Sequence, residues 1–119
     1  MSNMTLEIRE IDSGAVIEMG GRVMYEQDSQ IFHQKLDTEL AQGKRWIVLD
    51  LSRVIAMSST GLGILIAAYR ILRDRGGSIK LAKISDKVRN ILETTRLNTI
   101  FEVFDSVDEA VEKARSSFK

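Results

Sequence analysis

The chain of 119 residues contains no cysteine and no proline. Without cysteine it has no disulfide framework, no thiolate metal site and no cysteine nucleophile, which fits a reducing compartment. The sequence also has no proline-rich or glycine-serine linker, no internal repeat and no low-complexity run. We therefore predict a single domain spanning residues 1–119, which is long enough to bury one ordinary hydrophobic core.

A long apolar segment is also missing. Charged residues begin at Glu7, so the N-terminal stretch lacks the apolar region of a signal peptide. No later stretch reaches the roughly 18 uncharged apolar residues that a membrane-spanning helix needs. We expect a soluble protein that is located in the cytoplasm and does not insert into a membrane.

Neither sign of charge is in excess, because 17 lysine and arginine residues balance 17 aspartate and glutamate residues. No overall field attracts nucleic acid or an anionic membrane, and we expect neither as a partner. The segment from Arg70 to Arg96 differs, with eight basic residues against three acidic ones. Such charges are typical of solvated helix faces. A docking surface for an acidic protein patch would instead make the association rate depend on salt.

Turn residues and hydrophobic spacing predict the first elements. Apolar and polar residues alternate on both sides of Asp12-Ser13-Gly14, which predicts a β-hairpin. Apolar residues spaced four apart, followed by Gly43, then predict an amphipathic helix over residues 26–41.

The rest of the chain alternates short strands with helices. The continuous apolar run Trp46–Leu49 is typical of a central strand that is covered on both faces. After it we predict a helix over about residues 60–73, a strand at Ile79 and Leu81, a helix capped by Ser85, a strand over residues 100–104, and a helix opened by a capping box at Ser106. This alternation predicts an α/β layer structure.

Residues that commonly carry catalysis are scarce. His33 is the only histidine, and no second histidine or acidic pair stands at metal-ligand spacing, so we assign it no role. Neither a G-x-S-x-G elbow nor a G-x-x-x-x-G-K-[ST] loop occurs. Gly61-Leu62-Gly63 lies where a dinucleotide fingerprint would begin, but Ile66 replaces the third glycine. We expect no catalytic residue, no metal site and no cofactor.

Three consecutive hydroxyl residues, Ser58-Ser59-Thr60, stand where the second helix begins. One of them is enough to cap the helix, which is worth about 1 kcal/mol. Alternatively, one serine is a phosphoacceptor, because its phosphate would lie at the positive end of the helix dipole. Composition alone favours neither interpretation.

The helix that follows is apolar almost all round. One face carries Leu62, Leu65, Ile66, Tyr69 and Leu72, and the other carries Ile64, Ala67, Ala68 and Ile71. A small domain cannot easily bury both faces, which predicts an exposed apolar strip beside the hydroxyl residues. Such a strip would serve a homodimer as well as a foreign partner. The alternative is a helix covered by the C-terminal segment.

Two parts of the sequence form a recognisable pattern. The first is Val48–Ser52, followed by a short apolar connector and by Ser58–Gly63 at the start of a helix. The second is the earlier segment Met19-x-Gly21-x-Val23. The first part resembles the signature of the STAS-domain anti-sigma factor antagonists, and the second resembles the early L-x-G-x-L segment of that family. The resemblance spans most of the chain. It implies the STAS fold, with a mixed, mostly parallel β-sheet of four to five strands flanked by about four α-helices. It also implies a binding protein and not an enzyme.

The resemblance further implies the partners and a switch. Antagonists of this family bind an anti-sigma factor that is also a serine kinase of the histidine-kinase-like ATPase type, and so free the sigma factor. Phosphorylation of the motif serine breaks that complex until a serine phosphatase restores it. The family pattern D-S-[ST]-G-L-G places the phosphoacceptor at Ser59, with Ser58 as second choice. The motif and the apolar helix together predict a partner surface at Ser58, Thr60, Gly61, Leu62, Ile64, Ala68 and Ile71.

Ser58 departs from the family pattern, which has an aspartate at this position, and Met24 stands where an aspartate is common in the early loop. The missing carboxylate removes a charge next to the acceptor. Two other functions therefore compete with the phosphoswitch. One is a STAS scaffold subunit of a stressosome-like or lipid-transport assembly without phosphoswitching, and the other is a nucleotide-binding domain that uses the amides near Gly61 and Gly63.

Overall fold

The computed structural model describes residues 3–118, which form five β-strands, four α-helices and one short 3-10 helix. The strands are β1 (Asn3–Ile11), β2 (Gly14–Val23), β3 (Trp46–Met57), β4 (Ser78–Ala82) and β5 (Glu102–Phe104). The α-helices are α1 (Glu26–Ala41), α2 (Ser59–Asp74), α3 (Asp86–Thr94) and α4 (Val107–Ser116), and the 3-10 helix is Leu97–Thr99.

The strands form one sheet in the order β1-β2-β3-β4-β5. β1 and β2 are an antiparallel hairpin joined by Asp12 and Ser13, and the other neighbouring strands are parallel. The mixed, mostly parallel sheet and its four flanking helices confirm the predicted fold. The apolar run Trp46–Leu49 lies in the central strand, as predicted.

Apolar side chains pack on both faces of the sheet. The larger core joins β2, β3 and β4 to the buried sides of α1, α2 and α3. On the sheet side of this core, three fully buried residues lie opposite one another on neighbouring strands: Ile17, Leu49 and Leu81. On the other face, α4 packs against Trp46 and Val48. Among residues 3–118, no helix is both long and apolar enough to cross a membrane.

β3 is longer than the sequence indicated. Only Trp46–Leu49 and a following connector were expected, whereas the strand continues to Met57. Leu51 and Val54 in this extension are buried, and the pairing with β2 continues as far as Val23 opposite Met57. Two shifts of register interrupt the alternation of side chains, so periodicity did not reveal the extension. As a result, β3 leads directly into Ser58.

The last strand is shorter than the predicted span of residues 100–104. Leu97–Thr99 forms a 3-10 turn after Arg96, which has a φ of 62°, so β5 begins only at Glu102. The predicted caps are confirmed. The Ser85 hydroxyl accepts from the Val88 amide at 3.2 Å, and the Ser106 hydroxyl accepts from the Glu109 amide at 3.1 Å.

Candidate functional site

Ser58 connects the start of α2 to the ends of β2 and β3. It has an extended backbone, with φ −94° and ψ −178°, and precedes the first helical residue. Its Oγ accepts a hydrogen bond from the Gly61 amide at 3.3 Å and donates one to the Met24 carbonyl oxygen at 3.1 Å. Its own amide donates to the Val23 carbonyl oxygen at 3.2 Å. Ser58 is therefore the N-cap of α2, and its hydroxyl makes two hydrogen bonds.

Ser59 is the first residue of α2 and is exposed, whereas Ser58 and Thr60 are half-buried. Within residues 3–118, no hydrogen bond engages the Ser59 hydroxyl. The amides of Ser59 and Thr60 lie in the first turn, where a helix offers no internal acceptor. This turn carries no acidic side chain. The positive end of the helix dipole therefore lies beside a free serine hydroxyl with no carboxylate in that turn to neutralise it.

The two glycines that follow have different surroundings. A Cβ at Gly61 would lie 2.3 Å from the Val23 carbonyl oxygen and 2.6 Å from Cγ of Met57. Glycine is therefore required for α2 to start so close to the strand ends. A Cβ at Gly63 would meet no atom within 4 Å, and this residue is exposed. Gly63 leaves bare main chain on the solvent side of α2, one turn after Ser59.

The buried carboxylate of Asp28 holds the loop that accepts the Ser58 hydroxyl. Asp28 has no exposed surface, and its Oδ2 accepts from the amides of Met24 at 3.1 Å and Tyr25 at 2.9 Å. Because the Met24 carbonyl accepts from Ser58, hydrogen bonds link the starts of α1 and α2. This role of Asp28 was not predicted, although an acidic third helical residue is a capping signal. Met24 contributes through its main chain.

The predicted partner surface needs correction on α2. Gly61, Ile64 and Ala68 are buried, with Ile64 1% and Ala68 0% exposed. The expectation that they face a partner is wrong, because the larger core covers Ile64 and Ala68, and Val23 and Met57 at the strand ends cover Gly61. Leu62 and Ile71 are half-buried and pack at the margin of that core. The helix is apolar on both faces, and its periodicity could not show which face the sheet covers.

Two exposed apolar side chains near Ser58 were missed. Ile55, three residues before Ser58 in β3, is 64% exposed, and Tyr25, the N-cap of α1, is 48% exposed. Tyr25 follows Met24, whose carbonyl binds the Ser58 hydroxyl. A single sequence offers no signal that an apolar residue is exposed, so only the structure identifies them. Both side chains are therefore accessible to a partner, and each is joined to the Ser58 cap by no more than three residues of chain or by the Met24 hydrogen bond.

The remaining candidate groups lie elsewhere. His33 is on α1, where its Nδ1 lies 3.5 Å from the Ser29 hydroxyl and its ring packs edge-on against Phe32. The part of the chain that the structure describes contains no cluster of three or more potential metal ligands. The exposed basic residues between Arg70 and Arg96 are distributed over α2, α3 and the loops that follow α2, β4 and α3.

Residues 5–110 match the STAS domain family. The chain is 34% identical over 104 residues to the anti-sigma-B factor antagonist of Listeria monocytogenes, a match that covers 85% of this chain and 89% of that protein. The fold superposes on unphosphorylated SpoIIAA, an anti-sigma factor antagonist, with a TM-score of 0.81, 21% identity and coverage of 94% and 97% of the two chains. It superposes on the phosphorylated form of SpoIIAA, a Bacillus cell fate determinant, with a TM-score of 0.73, 20% identity and coverage of 92% and 98%. The chain therefore belongs to the family of STAS-domain anti-sigma factor antagonists.

Proposed function

We propose that this chain binds an anti-sigma factor of the histidine-kinase-like ATPase type in the cytoplasm and thereby releases a sigma factor. The kinase activity of the same partner phosphorylates Ser59, which weakens the complex, and a serine phosphatase reverses the modification. The name of the Listeria relative supports the class of partner. The existence of SpoIIAA in unphosphorylated and phosphorylated forms supports a phosphoswitch on this fold.

The observation that carries the proposal is the different bonding of the two serines. A phosphate on Ser58 would remove the hydrogen that is donated to Met24 and would disturb the cap on Gly61. Ser59 is exposed at the start of the helix, and its hydroxyl has no such structural task within residues 3–118. A kinase can therefore reach Ser59 without opening the fold. This favours Ser59 over Ser58 as the acceptor.

The serine at the aspartate position of the family pattern is compatible with this assignment. Serine and aspartate are both good N-caps, because the oxygen of either side chain accepts a hydrogen bond from an amide of the first turn. Ser58 performs this task without a negative charge. A phosphate on Ser59 would then meet free amides and the helix dipole, and no neighbouring carboxylate in the first turn. The phosphorylated domain should stay folded, so the switch acts at the partner surface.

One phosphate supplies enough energy for such a switch. Weakening a complex a hundredfold requires about 2.7 kcal/mol. A phosphoserine carries roughly −1.5 to −2 charges near neutral pH. Two unit charges about 4 Å apart repel by about 4 kcal/mol at an effective dielectric constant of 20. A single acidic partner group facing Ser59 is therefore sufficient.

The test is partner capture followed by an affinity measurement. The wild-type chain is immobilised, a protein with a histidine-kinase-like ATPase domain is captured from the cells that naturally produce the chain, and that protein is purified. We expect Ser59→Ala to bind it with the wild-type affinity and Ser59→Asp to bind it at least about tenfold more weakly, since a carboxylate carries less charge than a phosphate. Ser116→Asp is the matched control, because it adds the same charge at an exposed position on α4.

Equal affinities for Ser59→Ala and Ser59→Asp would contradict a switch at this position. A large stable assembly that co-purifies with the chain, and whose formation is insensitive to both variants, would favour the scaffold subunit instead.

A further inference from the structure

β1 is an edge strand whose outer side has no partner strand within residues 3–118. It is nine residues long, and its side chains alternate between the margin of the larger core and solvent. An open edge of this length is a template for pairing with another strand. The occupant of this edge can be inferred from the charges along β1.

The main-chain groups that face outward follow from the hairpin geometry. Two residues join Ile11 to Gly14, so this pair exchanges hydrogen bonds, and the bonded pairs then recur at every second residue. The main-chain groups of Arg9 and Glu7 therefore point toward β2. Those of Leu6, Ile8 and Glu10 point away from the sheet and are available to a further strand.

Two of the three charged side chains of β1, Glu7 and Arg9, lie between these outward groups, whereas the Glu10 side chain lies on the opposite face beside Glu39. Glu7 and Arg9 are exposed and lie on the face of the sheet that α4 covers only in part, on the same side as Val16 and Glu18. Neither forms an ion pair with any other side chain of residues 3–118. On this face the strand thus presents one unpaired negative charge and one unpaired positive charge, two residues apart.

We propose that β1 pairs antiparallel with β1 of a second copy of this chain, with Ile8 opposite Ile8 of that copy. In this register each Glu7 lies directly opposite an Arg9 of the other copy. These are non-hydrogen-bonded pairs, whose side chains approach closely, so both ion pairs form on the same face. Up to about six main-chain hydrogen bonds form between the copies, through the outward-facing amide and carbonyl groups of Leu6, Ile8 and Glu10.

The same charges disfavour the neighbouring registers. Centring the pair on Glu7 places two glutamates opposite each other, and centring it on Arg9 places two arginines opposite each other. If the pair is centred on Leu6, Glu7 lies opposite Thr5 of the other copy, and neither ion pair forms. Only the register centred on Ile8 satisfies both charges. Because the charges of β1 favour one register of pairing with itself, a second copy of the chain is the partner that fits this edge. The resulting dimer leaves α2 free for the partner proposed above.

The experiment is sedimentation velocity of the full chain over a series of concentrations. We expect a reversible dimer for the wild type. Arg9→Glu and Glu7→Arg each place like charges opposite each other and should weaken dimerisation by more than about tenfold. The double variant Glu7→Arg with Arg9→Glu restores opposite charges and should restore the dimer. Arg89→Glu on α3 is the matched control and should dimerise like the wild type.

A second readout uses the lack of cysteine in the chain. Residues opposite each other in a hydrogen-bonded pair have Cα atoms about 5.5 Å apart, which suits a disulfide. Oxidised Ile8→Cys should therefore form a cross-linked dimer. Thr5→Cys should not, because the two copies of residue 5 would lie about 20 Å apart in this register. A wild type that stays monomeric at millimolar concentration, a dimer that tolerates Arg9→Glu, or a double variant that stays monomeric would each overturn the proposal.

Discussion

The Ser58 hydroxyl lies 3.1 Å from the carbonyl oxygen of Met24 and donates a hydrogen bond to it, while its oxygen accepts from the Gly61 amide. This bond joins the loop before α1 to the first turn of α2. It fixes the position of the next residue, Ser59, without using the Ser59 hydroxyl. The hydroxyl that caps α2 and the hydroxyl that we propose as the phosphoacceptor therefore belong to neighbouring side chains.

Ser58→Ala should destabilise the protein by about 1 to 2 kcal/mol, because it removes the cap of α2 and leaves the Met24 carbonyl without this donor. Chemical denaturation measures the loss. Ser59→Ala is the control and should change the free energy of unfolding by less than about 0.5 kcal/mol. A greater loss from Ser59→Ala than from Ser58→Ala would contradict the assignment of the cap.

The two glycines of α2 should respond to alanine in opposite ways. Gly61→Ala forces a Cβ against the Val23 carbonyl and should cost more than about 2 kcal/mol, since that main chain is held in the sheet. Gly63→Ala meets open space and should stabilise the helix by up to about 1 kcal/mol. Thermal unfolding of the two variants measures both effects. A destabilised Gly63→Ala would show that this position is more crowded than the structure indicates.

Glu39 should make stability depend on pH. Burial, and then the neighbouring Glu10 carboxyl, raise the pKa of Glu39 above its ordinary value of 4.5, although Lys44 and Lys35 oppose the shift. The folded chain therefore holds this proton more tightly than the unfolded chain. The contribution of Glu39 is most favourable below about pH 4.5 and declines as the pH rises through the raised pKa.

Glu39→Gln tests this dependence. The amide is neutral, so the variant should be more stable than the wild type near neutral pH, and the difference should shrink as the pH falls toward 4.5. Glu10→Gln removes the neighbouring charge and should change stability in the same direction. Urea denaturation across this pH range provides the measurement. A difference between Glu39→Gln and the wild type that does not vary with pH would contradict the raised pKa.

Much of the fold was predictable because local signals agreed with the tertiary structure. The apolar run at Trp46–Leu49 marked the central strand, and Ser85 and Ser106 marked helix starts. The full length of β3 was not predictable, because its register shifts disturb the alternation that identifies a strand.

The site was predictable in part. The hydroxyl residues at the start of α2 were recognised, but their separate bonding depends on the Met24 carbonyl, which is 34 residues away in sequence. The exposed surface of α2 could not be assigned, because the packing of Ile64 against the sheet, and not its hydrophobicity, decides which face is covered. The role of Asp28 likewise requires the folded loop.

The proposed function depends on Ser59 as the regulated residue. Phosphopeptide mass spectrometry of the protein isolated from the cells that naturally produce it, with and without stress, is the direct test. We expect a phosphate on Ser59 whose occupancy changes with conditions, and no phosphate on Ser58. Complete absence of phosphate under all conditions, or a phosphate on Ser58 alone, would contradict this expectation.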